Sequence, residues 1–214
     1  MAAEDFIITR KRKRYRFAKF AEATNCYEVA KGLLDAQKAP LTLEIGAGTG
    51  LFSVQLAALC PERFFVAADV KADRLQKGAW QALDQHLPNV IFVRSHAYQL
   101  PEFVPPHSLA TLWVTFPDPH PKRRSAQQRL LHQNFLQVYR NLLRLDGELL
   151  FKTDDRALFD WSLEQLKGMG WQLRNLSNDL HASDLADEYK LKTTYEEKFL
   201  TEGRPINFVR AICN

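Results

Sequence analysis

The chain has 214 residues, 46% of them hydrophobic and 25% charged, a size and balance that suit one α/β domain with a sizeable core. No apolar run approaches the roughly 18 residues that cross a bilayer. The N-terminus places Glu4 and Asp5 before a basic run instead of a basic start before an apolar core, which excludes a secretory signal and points to the cytoplasm. The net charge of +4 is unevenly placed: residues 1–20 carry Arg10, Lys11, Arg12, Lys13, Arg14, Arg16 and Lys19 against only Glu4 and Asp5, and beyond them basic and acidic side chains nearly cancel. Interleaved with Tyr15, Phe17 and Phe20, this arm has the make-up that a phosphate backbone attracts, or that of a solvated tail. Cys26, Cys60 and Cys213 are odd in number, far apart and in no C-x-x-C pattern, so neither a disulfide framework nor a metal site is expected.

After the arm, Asn25 to Ala36 reads as a short helix and Pro40 opens the main domain, giving an arm with leading helix at 1–39 and a main domain at 40–214. Strand and helix periods then alternate. Leu41 to Ile45 is a strand, Leu51 to Leu59 an apolar-faced helix, and Phe64 to Ala68 a buried strand. Arg74 to His86 has helical spacing, and Val90 to Arg94 and Leu109 to Val114 are strands. Gln127 to Leu143 reads as one helix with Leu130, Leu131, Phe135, Val138 and Leu142 on a face. Asp146-Gly147 punctuates the chain before a strand at Glu148 to Lys152. A helix follows from about Arg156 to Gly168, then strands at Trp171 to Leu176 and Ile206 to Ile212, with a long polar connection from Ser177 to Gly203 between them. This βαβαβ order predicts a largely parallel sheet with helices on both faces. Trp113, Trp161 and Trp171 read as core.

The first strand ends in L-E-I-G-A-G-T-G, Leu43 to Gly50, and a helix starts at once. Gly46, Gly48 and Gly50 allow a sharp turn and close approach of a ligand to the helix N-terminus. The spacing is G-x-G-x-G instead of the dinucleotide fingerprint, and Glu44 just before the turn repels a pyrophosphate. It attracts a cationic amino-acid end such as that of S-adenosyl-L-methionine. Asp69, closing the next strand, is placed to accept from both ribose hydroxyls of an adenosine; its other reading is a helix cap. His96, after the third strand, is a candidate acceptor for an adenine amino group.

The stretch F-P-D-P-H-P-K-R-R, Phe116 to Arg124, follows a strand directly. Three prolines around one carboxylate forbid both a continued ladder and an immediate helix, so Asp118 sits on a stiff rim with Lys122, Arg123 and Arg124 close behind. A solvated, proline-punctuated loop is the plainer reading.

Together with F-K-T-D-D at Phe151 to Asp155 and T-T-Y-E-E-K-F at Thr193 to Phe199, in this order, the chain resembles the bacterial tRNA (guanine-N7)-methyltransferase family over roughly residues 40–213. The glycine turn is shared with most class I S-adenosylmethionine-dependent methyltransferases, whereas the three later motifs are specific. The resemblance implies a Rossmann-like fold with a seven-stranded, mostly parallel sheet. It also implies methyl transfer from S-adenosyl-L-methionine to a guanine N7 in the tRNA variable loop, at position 46. By position, cofactor roles fall on Glu44, Gly46, Gly48, Gly50, Asp69, His96 and Asp118, and substrate roles on Lys122, Asp154, Thr193, Thr194, Tyr195 and Glu196. The family usually has tryptophan where this chain has His120 and aspartate where it has His96. Ser125, Ala126, Gln127 and Gln128 stand where further basic residues are common.

Guanine N7 has an in-plane lone pair and no proton, so transfer needs positioning rather than a general base. Asp118, with Asp154 or Glu196, is expected to stabilise the cationic ring and to read its N–H groups, while Lys122, Arg123, Arg124 and the arm hold phosphates. Thr153-Asp154-Asp155 is alternatively a helix cap. The rival functions are another RNA or small-molecule methyltransferase on this fold, and an RNA-binding protein that has lost turnover; the sequence leaves the oligomeric state open.

Overall fold

The computed structural model describes residues 11–213, so Arg10 and the acidic start of the arm lie outside the described residues. The chain divides into two compact units, Met1–Phe103 and Val104–Asn214. No helix among the described residues is long and apolar enough to cross a membrane.

The first unit runs α1 (Lys11–Glu22), β1 (Cys26–Glu28), β2 (Leu41–Ile45), α2 (Leu51–Leu59), β3 (Phe64–Asp69), α3 (Ala72–Asp84) and β4 (Val90–Arg94). Its strands lie in the order β1-β4-β3-β2 and all pair in parallel. Every residue of β2 is buried, as for a strand with both faces covered. The register sets Leu43 opposite Val66 and Asp69 opposite Arg94, so the carboxyl ends of β2, β3 and β4 are level. α3 turns Leu75, Ala79 and Ala82 inward, and α1 buries Phe17 and Phe20.

The helix expected over Asn25 to Ala36 is absent. Cys26–Glu28 is instead a short strand paired with Phe92 to Arg94, and turns follow to Ala36. Asn25 explains the difference. Its Nδ2 donates to the Ala79 carbonyl at 3.1 Å, and its own carbonyl accepts from Phe92 N at 2.9 Å, so long-range pairing overrides the weak helical pattern. The described residues therefore hold eight strands where seven were expected.

The second unit runs β5 (Leu109–Thr115), α4 (Gln133–Leu142), β6 (Leu143–Thr153), α5 (Arg156–Gly168), β7 (Gln172–Ser177), α6 (Thr194–Thr201) and β8 (Asn207–Ile212). β5 and β6 are parallel, and β6, β8 and β7 follow as antiparallel neighbours. The single helix expected from Gln127 is split. A 3₁₀ turn at Arg123–Gln128 precedes α4, whose N-cap is His132, accepting from Asn134 N at 3.3 Å. β6 is longer than expected and passes through Asp146-Gly147. Asp146 takes φ 61°, and the register with β5 slips between Leu109 and Thr111, which marks a bulge rather than a strand boundary. The connection 177–203 is also structured, with a 3₁₀ turn at Asp187–Lys190 and α6.

Candidate functional site

In the first unit, the carboxyl ends of β2, β3 and β4 bring Glu44, the glycine turn, Asp69 and His96 to one edge. Gly46 N and Ala47 N both donate to the Ala68 carbonyl, at 2.9 and 3.1 Å, tying the turn to the end of β3. Gly46, Gly48 and Gly50 have φ of 73°, 56° and 70°. The last two glycines serve different needs. A Cβ on Gly50 would lie 2.5 Å from the Phe92 ring, so this position is glycine for packing; a Cβ on Gly48 would meet nothing within 4 Å, so this face of the turn is open to a ligand.

Asp69 is 8% exposed. Its Oδ2 accepts from Gly48 N and its Oδ1 from Lys71 N, each at 2.8 Å. Burial raises its pKa above the ordinary carboxyl value, and the two amides and the nearby Lys71 and Arg74 charges oppose that shift. Asp69 thus braces the glycine turn and keeps one further lone pair on each oxygen. Glu44 is buried under the turn, where its Oε2 accepts from Ser53 Oγ of α2 at 2.7 Å. His96 is exposed, with its ring stacked on Tyr98 at 5.1 Å. The residues fit an adenosine-type group, with an open glycine face, an anchored carboxylate at the strand end and exposed rings beside it.

In the second unit, the three specific motifs meet. Asp118 is exposed on a turn flanked by two residues in the left-handed region, Phe116 at φ 46° and His120 at φ 42°. Such conformations cost about 1–3 kcal/mol each and persist only where neighbours enforce them. Phe116 N donates to the Lys152 carbonyl at 2.9 Å. Arg129 reaches back with Nε to Pro119 O at 3.0 Å and Nη2 to His120 O at 3.2 Å, while its guanidinium lies 4.4 Å from the Trp161 ring. Trp161 is accordingly half-buried rather than core. Lys122, Arg123 and Arg124 are exposed on the same segment.

Phe116 packs on Phe199 at 5.7 Å. The Arg204 guanidinium sits 5.1 Å from the Phe199 ring and pairs with Asp154 at 2.8 Å. Asp154 stands at the end of β6, while its neighbour Asp155 caps α5 by accepting from Leu158 N at 2.8 Å. The T-T-Y-E-E-K-F motif opens α6 as a capping box between Thr193 and Glu196. Thr194 and Tyr195 are exposed. Glu196, which the family likeness places at the substrate, is 0% exposed. It pairs with the equally buried Lys152 at 3.2 Å and contacts His181 Nε2 at 2.7 Å. Lys152 Nζ also donates to the Leu191 carbonyl at 2.7 Å. Arg129, Lys152, His181 and Arg204 were not picked out by sequence reasoning; the T-x-x-E spacing of a capping box was the one local signal that could have placed Glu196.

Comparison with known proteins places the chain in a family. The model of a family described as "Putative methyltransferase" matches residues 38–209. A tRNA (guanine-N(7)-)-methyltransferase of Cytophaga hutchinsonii is 38% identical, covering 80% of this chain and 79% of its own length. One of the same description from Brevibacillus brevis is also 38% identical, covering 81% of each. Among solved structures, the 16S rRNA methyltransferase KamB superposes with a TM-score of 0.64 at 17% identity, over 85% of this chain and 91% of that one. A 16S rRNA (adenine(1408)-N(1))-methyltransferase variant from Catenulisporales acidiphilia, with its cosubstrate SAM, gives 0.56 at 15% identity over 94% and 91%. These two share the fold, a Rossmann-like methyltransferase, and the two sequence relatives carry the finer assignment: the chain belongs to the tRNA (guanine-N(7)-)-methyltransferase family.

Proposed function

We propose that this chain transfers a methyl group from S-adenosyl-L-methionine to N7 of a guanine in tRNA, at position 46 of the variable loop. The reading is carried by membership of a family whose relatives match across four-fifths of the chain, together with an exposed carboxylate, Asp118, on a turn that two left-handed residues and Arg129 hold in shape.

The cofactor, when bound, supplies an electrophilic methyl on a sulfonium. The open face of Gly48 and the anchored Asp69 would hold its nucleoside part, and His96 would offer a ring nitrogen to the adenine amino group. Glu44 secures the first turn of α2 through Ser53 and places a negative charge under the turn. On the substrate side, N7 has no proton to lose, so no general base is required. Asp118 stabilises the positive charge that the ring acquires, an effect worth about 10²–10³ in kcat for a fixed group of this kind. Lys122, Arg123 and Arg124 attract phosphates and set register. Asp154, Thr194 and Tyr195 offer acceptor and ring surface to the base, and Thr193 and Glu196 hold the start of α6 in place for them.

Incubation with unmodified tRNA and labelled S-adenosyl-L-methionine, followed by borohydride and aniline cleavage, maps N7-methylguanine directly. Cleavage at position 46 is expected. Asp118→Asn should lower kcat by about 10²–10³ while sparing most tRNA binding. Incorporation at another atom, or cofactor-independent tRNA binding with no incorporation, would sink the assignment.

A further inference from the structure

We propose that the groove between α1 and α3 is a subsite for an unpaired nucleotide of the RNA substrate, with Tyr15 and Trp80 as ring surfaces for the base and Arg16, Lys19 and Lys77 as phosphate partners. This deepens the reading of the chain as a tRNA methyltransferase and rests on it.

The groove is open to solvent, offers about 380 Å³ and is lined by Tyr15, Arg16, Lys19, Gln76, Lys77 and Trp80. That volume lies at the lower end of small-ligand sites, which run from about 300 to 1,000 Å³. Its construction separates a docking face of α1 from a presenting face. Phe17 and Phe20 are buried, and Arg94 stacks over Phe17 at 5.3 Å. Trp80 Nε1 donates to the Lys19 carbonyl at 3.0 Å, which fixes the indole against α1. Tyr15, two residues before Phe17, is left 63% exposed. The Tyr15 ring therefore stands on the solvent side of α1, with Phe17 and Phe20 on its buried side.

Charge decides the partner's chemistry. The lining has three cations and no carboxylate, and Lys19 Nζ sits 4.7 Å from the Trp80 ring and 5.7 Å from that of Tyr15. Arg14, next to Tyr15 in the chain, is exposed as well. Planar rings beside cations suit a planar base joined to a phosphate, the combination that single-stranded nucleic acid presents. A paired helix offers its phosphates but not a free base face, so the rings specify an unpaired nucleotide.

The test uses the full chain. Titration with tRNA should quench tryptophan emission, and Trp80→Phe should reduce that quench, leaving any part that comes from Trp161 beside the Asp118 turn; a quench that Trp80→Phe leaves undiminished would overturn the subsite. Tyr15→Ala should weaken tRNA binding by about 5- to 150-fold, the range for one lost base stack, and Tyr15→Phe should restore it. Lys77→Gln should make the plot of log K against log salt shallower by about 0.7–0.9. Circular dichroism of each variant reports whether α1 stays folded. Wild-type affinity and salt slope in both Tyr15→Ala and Lys77→Gln would overturn the subsite, as would equal quenching by polyglutamate, which would make the groove a site for an acidic protein. Weakening that tracks loss of α1 helicity would also overturn it. Wild-type methylation of the same tRNA is assayed in parallel. Its absence counts against the proposed activity, whereas normal methylation with unaltered variant binding counts against the subsite alone.

Discussion

At the scale of single residues, Arg129 explains why Asp118 is where it is. The prolines around Asp118 restrict the backbone, but two left-handed residues need an outside support, and Arg129 provides it with a planar fork to two carbonyls. We expect Arg129→Gln to lower kcat by roughly 10- to 100-fold with little change in KM for tRNA, since a misplacement near 1 Å is enough for such a loss. Lysine should not rescue it, because an ammonium lacks the fork that spans both carbonyls. Steady-state kinetics with a melting curve checks this: a parallel fall in affinity and melting temperature would mean a general structural role. The sequence made Asp118 legible through its prolines, yet it hid Arg129, since nothing local ties a carbonyl to a side chain nine or ten residues on. It likewise hid the partners of Glu196, because Lys152 and His181 reach it from distant segments.

At the scale of elements, the strand–turn–helix unit from Leu41 to Leu59 separates a glycine needed for packing from one needed for a ligand. Gly50→Ala drives a methyl into the Phe92 ring and keeps a positive φ, so it should destabilise by about 3 kcal/mol or more. Gly48→Ala meets no atom and should lose only about 1–2 kcal/mol from its left-handed backbone, while cofactor binding weakens because the open face is filled. Denaturant melts paired with cofactor titration distinguish the two; equal stability losses would contradict the division. Seven of the eight strands among the described residues were anticipated, most of them from apolar runs, and α2, α3 and α5 from their spacing. The failures came where tertiary pairing or a bulge overruled a local pattern. Asn25 drew a helical-looking segment into the sheet, Leu130 and Leu131 looked like a first helical turn, and Asp146-Gly147 looked like a stop but is a bulge within β6. In 177–203, polar composition concealed α6, whose own capping box was visible as Thr193 and Glu196.

At the scale of the whole molecule, the half-buried Cys26 thiol and the buried Tyr139 hydroxyl set an alkaline limit. Burial pushes the Cys26 thiol from 9.0 up to about 12, and it raises Tyr139, also from burial, well above its ordinary 10.0. Both groups ionise more readily in the unfolded chain. Their neutral forms therefore favour the fold fully below the unfolded values, and this contribution is lost as pH rises from 9.0 towards about 12 for Cys26 and from 10.0 upward for Tyr139. The Tyr139 hydroxyl has no hydrogen-bond partner among the described residues, so Tyr139→Phe should stabilise by about 1 kcal/mol at neutral pH. It should also flatten the decline above pH 10, as read from melting temperature across a pH series. An unchanged alkaline slope would show that Tyr139 ionises without unfolding.

One set of bonds in the second unit holds the start of α6 to β6. Lys152 holds the Leu191 carbonyl and Glu196, and Glu196 in turn holds Thr193 N, so residues 191–196 are tied to β6. Ordering a free segment costs about 1–2 kcal/mol per residue in backbone entropy, and here folding itself has met that cost. On the substrate role proposed for Thr194 and Tyr195, this tie would link thermal stability to RNA affinity, so that loosening it would weaken both.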